Sequence, residues 1–160
     1  MSYELEFIGP NDKPALLALS TPEWLDAAKN VLTEIGYKVH AASNHDDFAL
    51  RFGRIQYQVV LIEELFACNA PEENLTLQFI QQMPMPQRRH CIFILLGSSV
   101  NTLSAMQAFQ QSVHAVVNRE ELGLLGPNIL GPIVQRVVAD NDLFLNVYRD
   151  TQLRIVQGKV

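Results

Sequence analysis

A chain of 160 residues and 18.0 kDa is about one domain's worth of polypeptide, and its 48% hydrophobic content, against 18% charged residues and a mean hydropathy of +0.06, excludes a disordered tail. A net charge of −5 and a pI near 5.3 count against a nucleic-acid binder that works by broad phosphate neutralisation. No apolar run approaches the roughly 18 residues of a membrane span, and the N-terminus lacks the basic-then-apolar order of a signal peptide. Cys68 and Cys91 have neither a disulfide framework nor a zinc-site spacing, so the expectation is a soluble, reduced, cytoplasmic domain.

Tyr3, Leu5 and Phe7 alternate with Glu4 and Glu6, a half-buried strand pattern in an N-terminal extension over 1–13. The apolar run Ala15–Leu19 predicts a first strand covered on both faces. Ser20-Thr21-Pro22-Glu23 opens a helix, with a hydroxyl cap, an early proline and an acid near the positive end of the dipole. Trp24, Ala27, Ala28, Val31, Leu32 and Ile35 recur at helical spacing until Gly36 stops the helix. Tyr37–Ala41 is a second strand, and Asn44–Phe52 a short helix with Phe48, Ala49 and Phe52 inward.

Gln58–Ile62 is the third strand and runs into Glu63-Glu64. Glu72–Met83 predicts a third helix with Leu75, Phe79 and Ile80 on one side, followed by a turn-rich connection through Arg88-Arg89-His90. Cys91–Leu96 is the most hydrophobic strand, closed by Gly97-Ser98-Ser99. Thr102–Gln111 is a fourth helix with Leu103, Met106 and Phe109 in register, and Val113–Val117 a fifth strand. After Gly123–Pro127, a last helix runs from about Asn128 to at least Tyr148. Strands alternating with helices over short connections predict a doubly wound five-stranded parallel sheet of flavodoxin-like order 2-1-3-4-5 with an extended C-terminal helix. The α/β core occupies 14–127, and 128–160 forms the final helix and extension.

Ligands in such sheets bind at the carboxyl ends of the strands. No glycine-rich phosphate loop follows the first strand, which removes the dinucleotide fingerprint and the P-loop, and no G-x-S-x-G elbow is present. The Ser-Thr-Pro-Glu helix opening, the Ile35-Gly36-Tyr37-Lys38-Val39 turn, the Val59–Glu63 strand and the Ala115–Asn118 strand, in this order and spacing, resemble a response-regulator receiver domain over about Ala15–Asp150. The Arg88-Arg89 turn, Met106–Val113 and Val116-Val117-Asn118 are also similar to bacterial receiver-like domains that follow a zinc ribbon, although no ribbon is present here.

The resemblance implies a phosphoryl-accepting pocket, and this sequence departs from it at each position. Leu19 and Ser20 stand where a receiver carries two magnesium-binding acids, and Glu63 where it carries the phosphoacceptor aspartate. Leu96 replaces the hydroxyl residue, Asn118 the lysine, and Ala115 the switch aromatic. Mg²⁺ needs several hard oxygen ligands, which one carboxylate and a leucine do not supply. Adjacent Glu63 and Glu64 point to opposite faces of a strand and cannot both chelate. The pocket Leu19, Ser20, Glu63, Leu96 and Asn118 is therefore read as degenerate: a pseudo-receiver, not an enzyme, with no catalytic residue, no metal site and no cofactor.

Glu63 itself reads as a solvated strand-end carboxylate rather than a mimic of the phosphorylated state. Ser98 and Ser99 are candidates for anion or ligand contact if they open the fourth helix, though capping is their commoner use. Cys91 reads as a small buried hydrophobe, Cys68 as a loop thiol with nothing near to activate it, the four histidines as non-ligands, and Trp24 and Met106 as core. The surplus lies in the last helix. Leu130, Val134, Val137, Asn141, Phe144 and Tyr148 form a heptad seam, with Leu145 on a second apolar set that continues to Leu153, Ile155 and Val156.

Two functions remain open. One is a phosphorylation-independent interaction or scaffold module that binds protein partners, as a homodimer through that helix, with no nucleic-acid or membrane partner. The other is a flavodoxin-like ligand binder or enzyme using the strand-end cleft, lined by Ser20, Thr21, Glu63, Ser98, Ser99 and Asn118.

Overall fold

The structure, a computed structural model, describes residues 8–9, 11–121 and 129–158, the side chains of 142–144, 146 and 148–149 excepted. The predicted Tyr3-Leu5-Phe7 strand, the Gly123–Pro127 stretch and the seam side chains of Phe144 and Tyr148 lie outside these.

Five strands, β1 (Lys13–Ala18), β2 (Tyr37–Ala41), β3 (Val59–Glu63), β4 (Ile92–Gly97) and β5 (Ala115–Asn118), form one parallel sheet in the order β2-β1-β3-β4-β5. The helices are α1 (Pro22–Glu34), α2 (His45–Arg54), α3 (Leu75–Gln81), α4 (Met85–Arg88), α5 (Ala105–Gln111), α6 (Leu130–Asp140) and α7 (Asp142–Val156). The sheet order is the predicted one.

The strand pleat sorts the core into two layers. Ala15, Leu17, Val59, Leu61, Ile92, Ile94, Leu96 and Val117 face α1 and α6, meeting Ala28, Val31, Leu32, Ile133 and Val134. Leu16, Ala18, Val60, Ile62, Phe93, Leu95 and Val116 face the other way, onto Phe48 of α2, Leu77 and Ile80 of α3 and Ala108 of α5. Near-continuous apolar strands are what a sheet covered on both sides requires. Gly36 ends α1 at φ +98°, a conformation that L side chains rarely adopt.

Several helices differ from the expectation. The predicted Glu72–Met83 helix divides into a 3₁₀ turn (Pro71–Glu73) and α3, because Asn74 caps α3 by accepting from the Leu77 N–H at 3.0 Å. That start buries Thr76, Leu77 and Ile80 and leaves Leu75 and Phe79 exposed. On α2, Phe48 is fully buried and Phe52 half-buried, but Ala49 is exposed. The fourth predicted helix begins at Ala105 rather than Thr102, because Leu103 sits at φ +62° and Ser104 provides the cap. Met106 and Phe109 consequently point to solvent, at 66% and 80% exposure, and are not core. Trp24 is half-buried beneath the Arg119 guanidinium, 5.5 Å from its ring centroid.

The last helix is two helices. The turn at Asn141 separates α6 from α7, and its Nδ2 donates to the Val137 carbonyl at 2.8 Å. Asn141 thus terminates a helix locally. Leu130, Val134, Val137 and Leu145 are all buried in the layer that covers α1 and the sheet. The three seam residues Leu130, Val134 and Val137, and Leu145 of the second apolar set, are therefore spent inside the chain and offer no surface to a partner. Beyond Leu145, the described side chains of α7 are all exposed.

Candidate functional site

The carboxyl ends of β1, β3, β4 and β5 bring the predicted pocket residues to one rim of the sheet. Leu96 is the register partner of Glu63, and Asn118 that of Gly97. Leu19 and Leu96 are buried apolar contacts of the α1–α6 layer and contribute no polar side-chain atom to the rim.

Glu63 is the centre of this rim, and it is buried, with 3% exposure, rather than solvated. One carboxylate oxygen accepts from the Ser20 backbone N–H at 3.0 Å, the other from the Thr21 hydroxyl at 2.7 Å. Thr21 is the N-cap of α1, and its hydroxyl donates to Glu63 instead of accepting from the helix backbone. A carboxylate at this place also meets the positive end of the α1 dipole. Burial of a charge costs little only when donors replace water, and here they do. The expectation of a solvated carboxylate fails because sequence does not reveal that the β1–α1 turn aims two donors across at β3.

The β3–α3 loop is tied to the same turn. Ser20 Oγ accepts from the Ala67 N–H at 2.7 Å, at a residue held at φ +51°. Asn74, fully buried, donates through Nδ2 to both the Glu63 and Glu64 carbonyls at 3.0 Å. One side chain thereby starts α3 and fixes the end of β3. Sequence reading missed it, because Asn74 lay inside the predicted helix; the signal was an amide two residues before Thr76-Leu77, a capping position.

Glu64 turns to the opposite side, as adjacency on a strand requires. Its N–H donates to the Leu96 carbonyl at 2.7 Å, and its carboxylate accepts from the Ser99 hydroxyl. The carboxylate also lies directly over Gly97, where a Cβ would collide with it. Ser99 is thus paired with an acid, and neither Ser98 nor Ser99 opens a helix; the reading of an anion site at the start of the fourth helix is corrected by the later start of α5. Asn118 donates through Nδ2 to the Val100 carbonyl at 2.9 Å, and its N–H reaches Thr102 Oγ1 at 2.9 Å. It organises the β4–α5 connection.

This donor set does not fit the magnesium that a receiver fold implies. The first of the two acid positions is a buried leucine, and both Glu63 oxygens already accept protein hydrogen bonds. Among the described residues, no three His, Cys, Asp or Glu side chains are grouped to hold a metal ion.

Cys68 is half-buried on the same loop, and burial, reinforced by Glu73 and Glu63, pushes its thiol up, away from the reactive thiolate. No helix among the described residues is long and apolar enough to cross a membrane.

No family model matches the chain, and no curated protein matches it in sequence. Solved structures do match in shape. A response regulator from Thermotoga maritima superposes with a TM-score of 0.61 at 14% identity, over 80% of this chain and 98% of that one. A CheY-like receiver domain from Methanospirillum hungatei gives 0.58 at 13% identity, over 79% and 94%. NtrX from Brucella abortus gives 0.65 at 12%, over 86% of this chain and 29% of that one. The fold is therefore doubly wound α/β, of the kind these receiver domains have. Identities this low carry the architecture and nothing of the chemistry.

Proposed function

We propose that this chain is a receiver-fold signalling module that works without phosphorylation and through protein contact. The observation that carries the reading is the Glu63 carboxylate, buried and hydrogen-bonded by Ser20 and Thr21 at the position where the resemblance places a phosphoacceptor. Phosphoryl transfer depends on metal, positioning and charge neutralisation. Leucines at 19 and 96 and an asparagine at 118 supply none of these. The strand-end ligand cleft is the weaker reading, since Ser20, Glu63, Ser99 and Asn118 bond to their own chain.

The contact surface is the distal part of α7, where Val147, Leu153, Ile155 and Val156 are 53–78% exposed. Exposed apolar side chains along one helix favour association. A second copy of the chain is the occupant of this reading. It replaces the seam of Leu130, Val134 and Val137, which the fold consumes.

Incubation with acetyl phosphate and Mg²⁺, followed by intact mass measurement, tests the first clause. The expected result is an unmodified chain; a phospho-adduct on Glu63 or any other carboxylate overturns it. Sedimentation tests the second. The expected mass is twice 18.0 kDa for the full chain, falling to the monomer value in Leu153→Glu/Ile155→Glu. A monomer at high concentration removes the dimer and leaves the first clause standing.

A further inference from the structure

A hollow of about 430 Å³ opens at the opposite end of the sheet, between the end of α2, α3 and α4, where the chain enters β3 and β4. Its volume lies within the roughly 300–1,000 Å³ range of small-molecule sites. One wall is aromatic. Phe52 and Tyr57 stack with ring centroids 6.4 Å apart at 21°, and Phe79 stands edge-on to Phe52 at 6.3 Å and 82°. Phe79 is nevertheless 40% exposed, so part of its ring lacks a protein neighbour.

Arg54 is the one charged side chain of the described lining. Arg54, in the last turn of α2, carries a fixed positive charge, with Gln87 and His90 also on the wall. None of the described lining residues is a carboxylate, although the whole chain carries −5. Aromatic walls take a flat ring edge-on or offset-stacked, and a guanidinium takes a carboxylate through two parallel N–H donors.

We propose that this hollow binds a small planar aromatic anion, its ring against Phe52 and Phe79 and its carboxylate at Arg54. The site is separate from the Glu63 rim and stands or falls independently of the function proposed above.

The test is an amide ¹H–¹⁵N titration of the full chain with 2-naphthoate, and with 2-naphthamide as the uncharged isostere. The expected result is saturable shifts concentrated at residues 52–57, 79 and 87–90, with the amide about tenfold weaker, as loss of a charge-assisted pair implies. Arg54→Gln should remove the difference between the two probes while leaving the spectrum otherwise unchanged, since Arg54 is exposed. Gly53→Leu should weaken both probes. Gly53 lines the hollow, and a Cβ there meets no atom within 4 Å, so the fold tolerates the added side chain. Shifts centred elsewhere, equal binding of acid and amide, or an unchanged preference in Arg54→Gln overturns the proposal.

Discussion

Glu63 and Asn74 hold more of the rim together than their sequence positions suggest. Glu63 is buried and accepts from two donors of the β1–α1 turn, so Glu63→Ala leaves the Ser20 N–H and the Thr21 hydroxyl without their acceptor. The expected loss is about 2–3 kcal/mol, read from the urea midpoint. A variant as stable as the parent shows that water replaces the carboxylate without cost. Asn74→Ala removes a cap and two carbonyl partners together, and an equal or larger loss is expected from the same measurement. His114 sets a pH dependence. Burial, with Arg88 nearby, pushes it down to about 4, and its Nδ1 accepts from the Phe93 N–H at 3.0 Å. The unfolded chain, titrating near 6.5, binds a proton that the folded chain refuses. Stability from this group is therefore complete above about pH 6.5 and falls as pH drops toward 4, by roughly 3 kcal/mol in all. His114→Asn should flatten that slope; an unchanged slope assigns it to other groups.

The helices show where local signals suffice and where they mislead. Pro22 at the head of α1 and Gly36 beyond its end bracket that helix within a residue or two of expectation, because each acts on its own backbone. The start of α5 was not legible. Leu103 adopts a left-handed conformation because its N–H is drawn to the Val116 carbonyl at 2.9 Å, a contact between segments distant in sequence. That displacement rotates Met106 and Phe109 outward, against their apolar periodicity. Gly53, inside α2 with open space around a Cβ, gives a test at this scale. Gly53→Ala should raise stability by about 0.5 kcal/mol or less in thermal or urea unfolding, since glycine surrenders more backbone entropy than alanine even in a helix's last turn. No gain would show that the end of α2 is already frayed.

At the scale of the whole molecule, the division at Asn141 assigns the C-terminal residues to two tasks. Residues through Leu145 complete the layer over α1 and the sheet, so removal from Asp142 onward should destabilise the domain. At concentrations low enough for the parent to be monomeric, removal from Asp150 onward should leave stability within about 0.5 kcal/mol of the parent, since every described side chain beyond that point is exposed. A large loss from the shorter deletion places the end of α7 in the core and removes it as a contact surface. Comparing the two truncations separates folding from association, which a single cut at Asp142 confounds.

The sheet and its order were readable from sequence alone. Parallel strands buried on both faces must be continuous apolar runs, and short right-handed crossovers leave few ways to connect them. The loss of the acids, hydroxyl and lysine that the resemblance implies was equally plain, since it depends only on which residue stands where. Tertiary structure decided the rest. The Glu63 carboxylate is buried because Ser20 and Thr21, more than forty residues earlier, deliver donors to it. Ser99 bonds to Glu64, and the first half of the heptad seam, Leu130, Val134 and Val137, is consumed by α1 and the sheet. A side chain's periodicity shows that it needs an apolar neighbour, but only the packed chain determines whether that neighbour is its own.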